Sequence, residues 1–182
     1  MDGGLVSGGG DRGSRGKSAL NLPLKMPLPI AISLLLGLVL AILPLPQALS
    51  PLRPEWVLLI LVYWGTAFPR RVGILTAAGM GLCLDILGQQ LLGQNAVTLA
   101  IVAFIVSQIY PRLRVFPIWQ QSMVVGFLVL LTRSIDLWIR GASGFPPETL
   151  VFWLPILSSA LLWPLVYHVL RATRRRWLLH LT

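Results

Sequence analysis

Few side chains in this sequence can do chemistry, and most of those are acidic. Asp2, Asp11, Glu55, Asp85, Asp136 and Glu148 are the carboxylates, His168 and His180 the imidazoles, and Cys83 the single thiol. One cysteine forms no internal disulfide, and neither a CxxC nor a Cys/His cluster is present to hold zinc, so no metal site is expected. Neither histidine has a carboxylate beside it to tune a general base. The sequence contains no GxSxG, HExxH or phosphate-loop pattern, and the glycines of residues 3–10 lack the Lys-Ser/Thr that such a loop needs. The expectation is a protein without catalytic activity or cofactor.

The remaining candidates are charges inside apolar segments. Arg133, Asp136 and Arg140 are spaced i, i+3, i+7, which puts them on one face of a helix. Asp85 stands alone in another apolar run. An ionisable group at membrane depth costs at least ~2.5 kcal/mol on insertion scales, so each needs a partner or a role. Counting ~1.5 Å per residue from the nearest basic or proline boundary places Asp85 ~21 Å, Arg133 ~24 Å and Asp136 ~28 Å across the membrane. Two readings follow for Asp85. One is an intrachain bridge to Arg133; the other is a polar contact for a second membrane protein, or an opening in the outer leaflet. A water-accessible Asp85 or Asp136 would suit an intramembrane enzyme.

The elements that position these groups are helices in lipid. Of 182 residues, 55% are hydrophobic and only 12% charged, against about 25% charged in ordinary soluble domains. Six apolar stretches run over about 28–46, 54–69, 72–91, 95–110, 117–140 and 148–170. Period-two alternation is lacking, which argues against a β-barrel. The second and fourth stretches fall short of the ~20 residues of an upright span. The fold class expected is an all-α polytopic membrane protein with six transmembrane helices, over residues 23–176. Residues 1–22, rich in Gly and Ser, read as a disordered tail, and 177–182 as a short C-terminal one.

Lys and Arg set the orientation. Arg12, Arg15, Lys17 and Lys25 precede the first stretch; Arg70 and Arg71 follow the second, Arg112 and Arg114 the fourth, and Arg171, Arg174, Arg175 and Arg176 the sixth. The alternate connections hold only Arg53 and Arg140. By the positive-inside rule both termini are cytoplasmic. The net charge of +9 then reports topology and contact with phospholipid head groups, not nucleic acid. The tryptophans, mostly near span ends, read as interfacial anchors.

Small residues mark helix contacts. Gly73, Ala77, Gly81, Asp85 and Gly88 form a narrow stripe along the third stretch, and Ser33, Gly37 and Ala41 repeat the device in the first. The third stretch is expected to be central and packed within the chain. The first is the candidate for a seam with another molecule.

Particular segments resemble a known family. Arg53-Pro54-Glu55-Trp56 leading into Val57–Trp64, Gly79-Met80-Gly81 through Leu84-Asp85-Ile86-Leu87-Gly88 with Leu92-Gly93 behind it, Trp119-Gln120-Gln121, and Leu161-Leu162-Trp163-Pro164 are together similar to the rod shape-determining protein MreD family. The resemblance covers about residues 28–176; the Gly-rich tail departs from it. It implies an inner-membrane component of the machinery that builds lateral peptidoglycan, acting with the bitopic protein MreC and, through it, with MreB, RodA and a class B penicillin-binding transpeptidase. It implies a six-helix arrangement like the S-component bundle of vitamin transporters, and no catalytic residues. By motif position Arg53, Glu55, Trp56 and Asp85 are the residues of interest. The alternative, from the same likeness, is a protein that binds or transports a small molecule or lipid precursor through an outer-leaflet cavity.

Overall fold

The computed structural model describes residues 27–43, 46, 52–89, 91–142 and 150–179. The expected N-terminal tail, Glu148 and the last residues of the C-terminal tail lie outside them. Six α-helices make up the described part: α1 (Pro27–Ile42), α2 (Trp56–Ala67), α3 (Ile74–Leu87), α4 (Gln94–Leu113), α5 (Ile118–Ala142) and α6 (Leu154–Leu179), the last preceded by a 3-10 turn over Leu150–Trp153.

Three of these, α4, α5 and α6, are long and apolar enough to cross a membrane. The other three are apolar but shorter, at 16, 12 and 14 residues. The fourth stretch is thus longer than its hydropathy indicates, because α4 continues through Pro111 to Leu113. Proline at that point removes only one hydrogen bond near a helix end. The last helix likewise runs past residue 176, to Leu179.

The central element is α2, not α3 as the stripe of small residues suggests. Val57 through Gly65 are buried without interruption, and α2 packs against α1, α4, α5 and α6. A helix apolar on every side belongs inside a bundle. Its ~18 Å length is short for a span, and from Val57 to Gly65 it is enclosed by protein. By contrast α3 is peripheral, lying along α4 with a lesser contact to α1. Its far side is open: Leu75 is 89% exposed, and Leu82 and Ile86 are exposed too.

Much of the exterior is apolar too. Leu35, Leu36 and Val39 of α1, Met123, Phe127 and Trp138 of α5, and Leu161 and Leu165 of α6 all face outward. Contiguous apolar exterior of that extent requires a nonaqueous solvent. The chain is a membrane protein.

Candidate functional site

The described carboxylates of this bundle gather at one end, where α2, α4 and α6 begin and α3 and α5 finish. Asp85, in the last turn of α3, is fully buried. Its carboxylate accepts the backbone N–H groups of Gly93 at 2.9 Å, Asn95 at 2.9 Å and Ala96 at 3.4 Å. These belong to the first turn of α4, whose own N-cap, Gly93, has no side chain to offer. The first N–H groups of a helix lack intrahelical acceptors. Asp85 supplies them from the neighbouring helix, while Leu91 O takes the N–H of Gln94. The negative charge also sits against the positive end of the α4 dipole.

Two glycines make that approach possible. A Cβ on Gly81, one turn before Asp85, would lie inside contact distance of the Ala96 Cα and N and of the Asn95 carbonyl. Backbone there cannot move aside. Gly93 has φ +98°, a left-handed conformation that a side chain makes costly.

The Asp85–Arg133 bridge expected from matched depth is not formed. Arg133 pairs instead with Glu55, just before α2, and its guanidinium lies 5.2 Å from the Phe152 ring centroid. Depth along a helix says nothing about which way around the bundle a side chain faces, and Asp85 turns to α4. Nor is Asp85 available to a partner or to an outer opening, since no part of it reaches the surface.

Glu55 is fixed twice, because its backbone N–H donates to the buried hydroxyl of Ser159 on α6 at 3.1 Å. Arg53 donates to the Leu43 carbonyl at 2.6 Å, tying the end of α1 to the start of α2. Trp56 is partly buried against the core. One turn after Arg133 on α5, Asp136 accepts from Gln94 Nε2 at 3.1 Å. Glu55, Asp85, Gln94, Arg133, Asp136 and Ser159 thus form a belt that joins α2, α3, α4, α5 and α6 at one end. The side chain of Arg140 lies outside the described part.

The small residues divide differently from expectation. Ala77 and Gly81 are buried, as is Asp85, so the middle of the α3 stripe does pack within the chain. The stripe stops there: Gly73 is the open N-cap, where a Cβ would meet nothing within 4 Å, and Gly88 is the exposed C-cap. On α1 the small face turns inward and is not a seam with another molecule. Ser33 accepts the indole N–H of Trp64 at 2.7 Å, Gly37 abuts Ile60, and Ala41 is partly buried against the core.

Two tryptophans expected as interfacial anchors are core residues. Trp64 and Trp163 are buried with their N–H groups bonded. Trp163 donates to Gln121 Oε1 at 3.3 Å, while Gln121 Nε2 donates to the carbonyls of Leu113 and Phe116 at 2.9 and 3.0 Å. This links α4, α5 and α6 at the end opposite the belt. Gln94, Gln121, Ser159 and Trp163 are structural joints that charge and spacing did not single out; the Trp119-Gln120-Gln121 and Leu161-Leu162-Trp163-Pro164 segments were the available signals for two of them.

Such an arrangement fixes helices against one another. Each described carboxylate has a structural partner, and a partly buried pair such as Glu55–Arg133 is costly to break from one side only.

Comparison with known proteins agrees with the motifs. Residues 24–173 match the family described as rod shape-determining protein MreD. The chain is 33% identical over 149 residues to the rod shape-determining protein MreD of Haemophilus influenzae, covering 80% of this chain and 90% of that protein. No solved structure matches. With Glu55 and Asp85 of the belt lying on segments that carry the resemblance, and most of both chains aligned, this chain belongs to the rod shape-determining protein MreD family.

Proposed function

We propose that the chain is a scaffold without catalytic activity, embedded in the bacterial inner membrane, that binds MreC and thereby helps to control lateral peptidoglycan synthesis and cell shape. All six helices span the membrane in this reading, and both termini are cytoplasmic. The belt end faces outward and the arginine-rich end inward. The helices are arranged as in the S-components of vitamin transporters. MreC docks through its membrane-spanning helix and periplasmic juxtamembrane segment, and brings the chain together with MreB, RodA and a class B penicillin-binding transpeptidase.

One observation carries the reading: polar groups tie helix to helix within the chain, while the outward faces of α1, α3 and α5 are apolar. A surface of that kind recognises another helix by close packing, since lipid tails give no hydrophobic drive for association. Affinity then comes from many small contacts.

Co-purification of the full chain with MreC from detergent-solubilised membranes tests the proposal. MreC is expected to be retained at a fixed ratio. An intact, monodisperse chain that never retains MreC would overturn it, as would reporter fusions showing either terminus outside the cell for the topology.

A further inference from the structure

At the end opposite the belt, α2 and α4 finish and α6 passes beyond them. Between these helices lies a cavity of about 360 Å³, whose wall includes Arg114, Arg171 and Arg174 together with Tyr63, Gln121 and Tyr167. Three guanidinium groups share this cavity, and among the described residues its wall contains no carboxylate. The described carboxylates, Glu55, Asp85 and Asp136, all sit at the other end of the bundle.

One of the three arginines is explained by the fold. Arg114 donates through Nε to the Thr66 carbonyl and through Nη2 to the Ala67 carbonyl, both at 2.7 Å. It thereby caps α2, whose last carbonyls lack intrahelical donors. Among the described residues, Arg171 and Arg174 have no such acceptor. Arg171 lies with its guanidinium 6.0 Å from the Tyr167 ring centroid. Arg174 holds its Nε shielded from solvent with no hydrogen-bond partner among the described residues. A buried donor left unmatched in a folded protein calls for an explanation. Three like charges around one hollow also repel each other unless an anion lies between them.

We propose that this cavity binds a phosphate group, held by the guanidinium forks of Arg171 and Arg174 with Arg114 fixed at its rim. Planar guanidinium matches phosphate oxygens in pairs, and the bonds are charge-assisted. The Tyr167 ring lies against the Arg171 guanidinium, and Tyr63 and Tyr167 in the wall also suit the glycerol or acyl portion of a lipid. The same phosphate chemistry is offered by an anionic phospholipid head group and by soluble phosphate. Exposed Arg70, Arg71, Arg112, Arg175 and Arg176 surround this end and draw either anion towards it. The site depends on the scaffold reading only for its depth in the membrane; failure to retain MreC leaves it untouched.

Thermal melting of the full chain in maltoside micelles tests the site, with short-chain phosphatidylglycerol, diacylglycerol without the head group, and inorganic phosphate as probes. A rise of several degrees with phosphatidylglycerol and none with diacylglycerol or inorganic phosphate assigns a lipid phosphate. An equal rise with inorganic phosphate assigns a soluble one. The double variant Arg171→Gln with Arg174→Gln is expected to weaken the effective probe at least about tenfold, while its melting without probe stays near that of the parent. The control pair Arg70→Gln with Arg71→Gln removes the same charge outside the cavity. No shift with either phosphate, or equal loss in the control pair, would overturn the proposal. If the Arg171/Arg174 variant melts early without probe, Arg174→Lys keeps the charge and removes the fork. Undiminished binding by that variant would refute recognition by the fork.

Discussion

The Asp85 carboxylate accepts the Gly93 N–H at 2.9 Å, and so a residue of α3 caps the helix that follows it. Two further N–H groups, of Asn95 and Ala96, converge on the same carboxylate. Capping normally comes from the residue at the helix start. Here glycine holds that place because the chain must turn through φ +98°, and the cap is supplied across the turn.

Replacing Asp85 by Leu should therefore destabilise the α3–α4 pair by roughly 2–4 kcal/mol, since it leaves buried N–H groups without an acceptor. Asp85→Asn retains one acceptor oxygen and should cost less. Melting of each variant in detergent ranks them. The order reversed, with Asn worse than Leu, would contradict the cap.

The pairing itself can be exchanged. Because Arg133 meets Glu55, Glu55→Arg combined with Arg133→Glu is expected to recover part of the stability that either change alone loses. The corresponding exchange of Asp85 and Arg133 should recover nothing, as those two never meet. Folded yield and melting temperature of the six variants decide between the two partners.

Glycine substitutions should separate backbone contact from side-chain contact. Gly81→Ala drives a methyl into the Ala96 backbone, whereas Gly37→Ala meets only the Cδ1 of Ile60, at 2.6 Å. An isoleucine tip can swing away; a helix backbone cannot. Gly81→Ala should cost at least ~2 kcal/mol as overpacking, and Gly37→Ala much less. Comparable losses at both sites would show that the α3–α4 crossing is looser than its geometry.

How far these features are legible in the sequence depends on their range. Membrane class, helical class and the family follow from apolar runs and from motifs such as Arg53-Pro54-Glu55-Trp56, each a property of contiguous residues. That Glu55, Asp85 and Asp136 share one end also follows, because the alternation of helix direction is enough to place them. The partners do not follow. Asp85 and Arg133 lie at similar depth, but rotation about each helix axis decides whom they meet, and a stripe of five residues leaves that rotation open. Centrality misled for a related reason. Small residues mark a close contact, which α3 makes with α4 alone, whereas α2 is enclosed through Val, Leu and Ile that hydropathy cannot distinguish from lipid-facing ones. Trp64 and Trp163 were hidden because an indole suits both an interface and a core that offers its N–H an acceptor.

Gln121 offers the sharpest test of the joints at the arginine-rich end. Its amide donates twice, to Leu113 and Phe116, and accepts once, from Trp163. Gln121→Leu keeps the approximate volume and strands the Trp163 N–H in a buried site, an expected loss of about 2–3 kcal/mol. Trp163→Phe removes the donor but leaves a gap in the core, with a cost of its own. If the two residues act through their shared bond, the double variant loses less than the singles together, because no indole N–H remains to be orphaned; a coupling of 0.5 kcal/mol or more is the range for residues in direct contact. Strict additivity in detergent melting would mean that Gln121 acts through the α4–α5 turn alone, and Gln121→Glu, which loses both donated bonds but keeps an acceptor, would then be as damaging as Gln121→Leu.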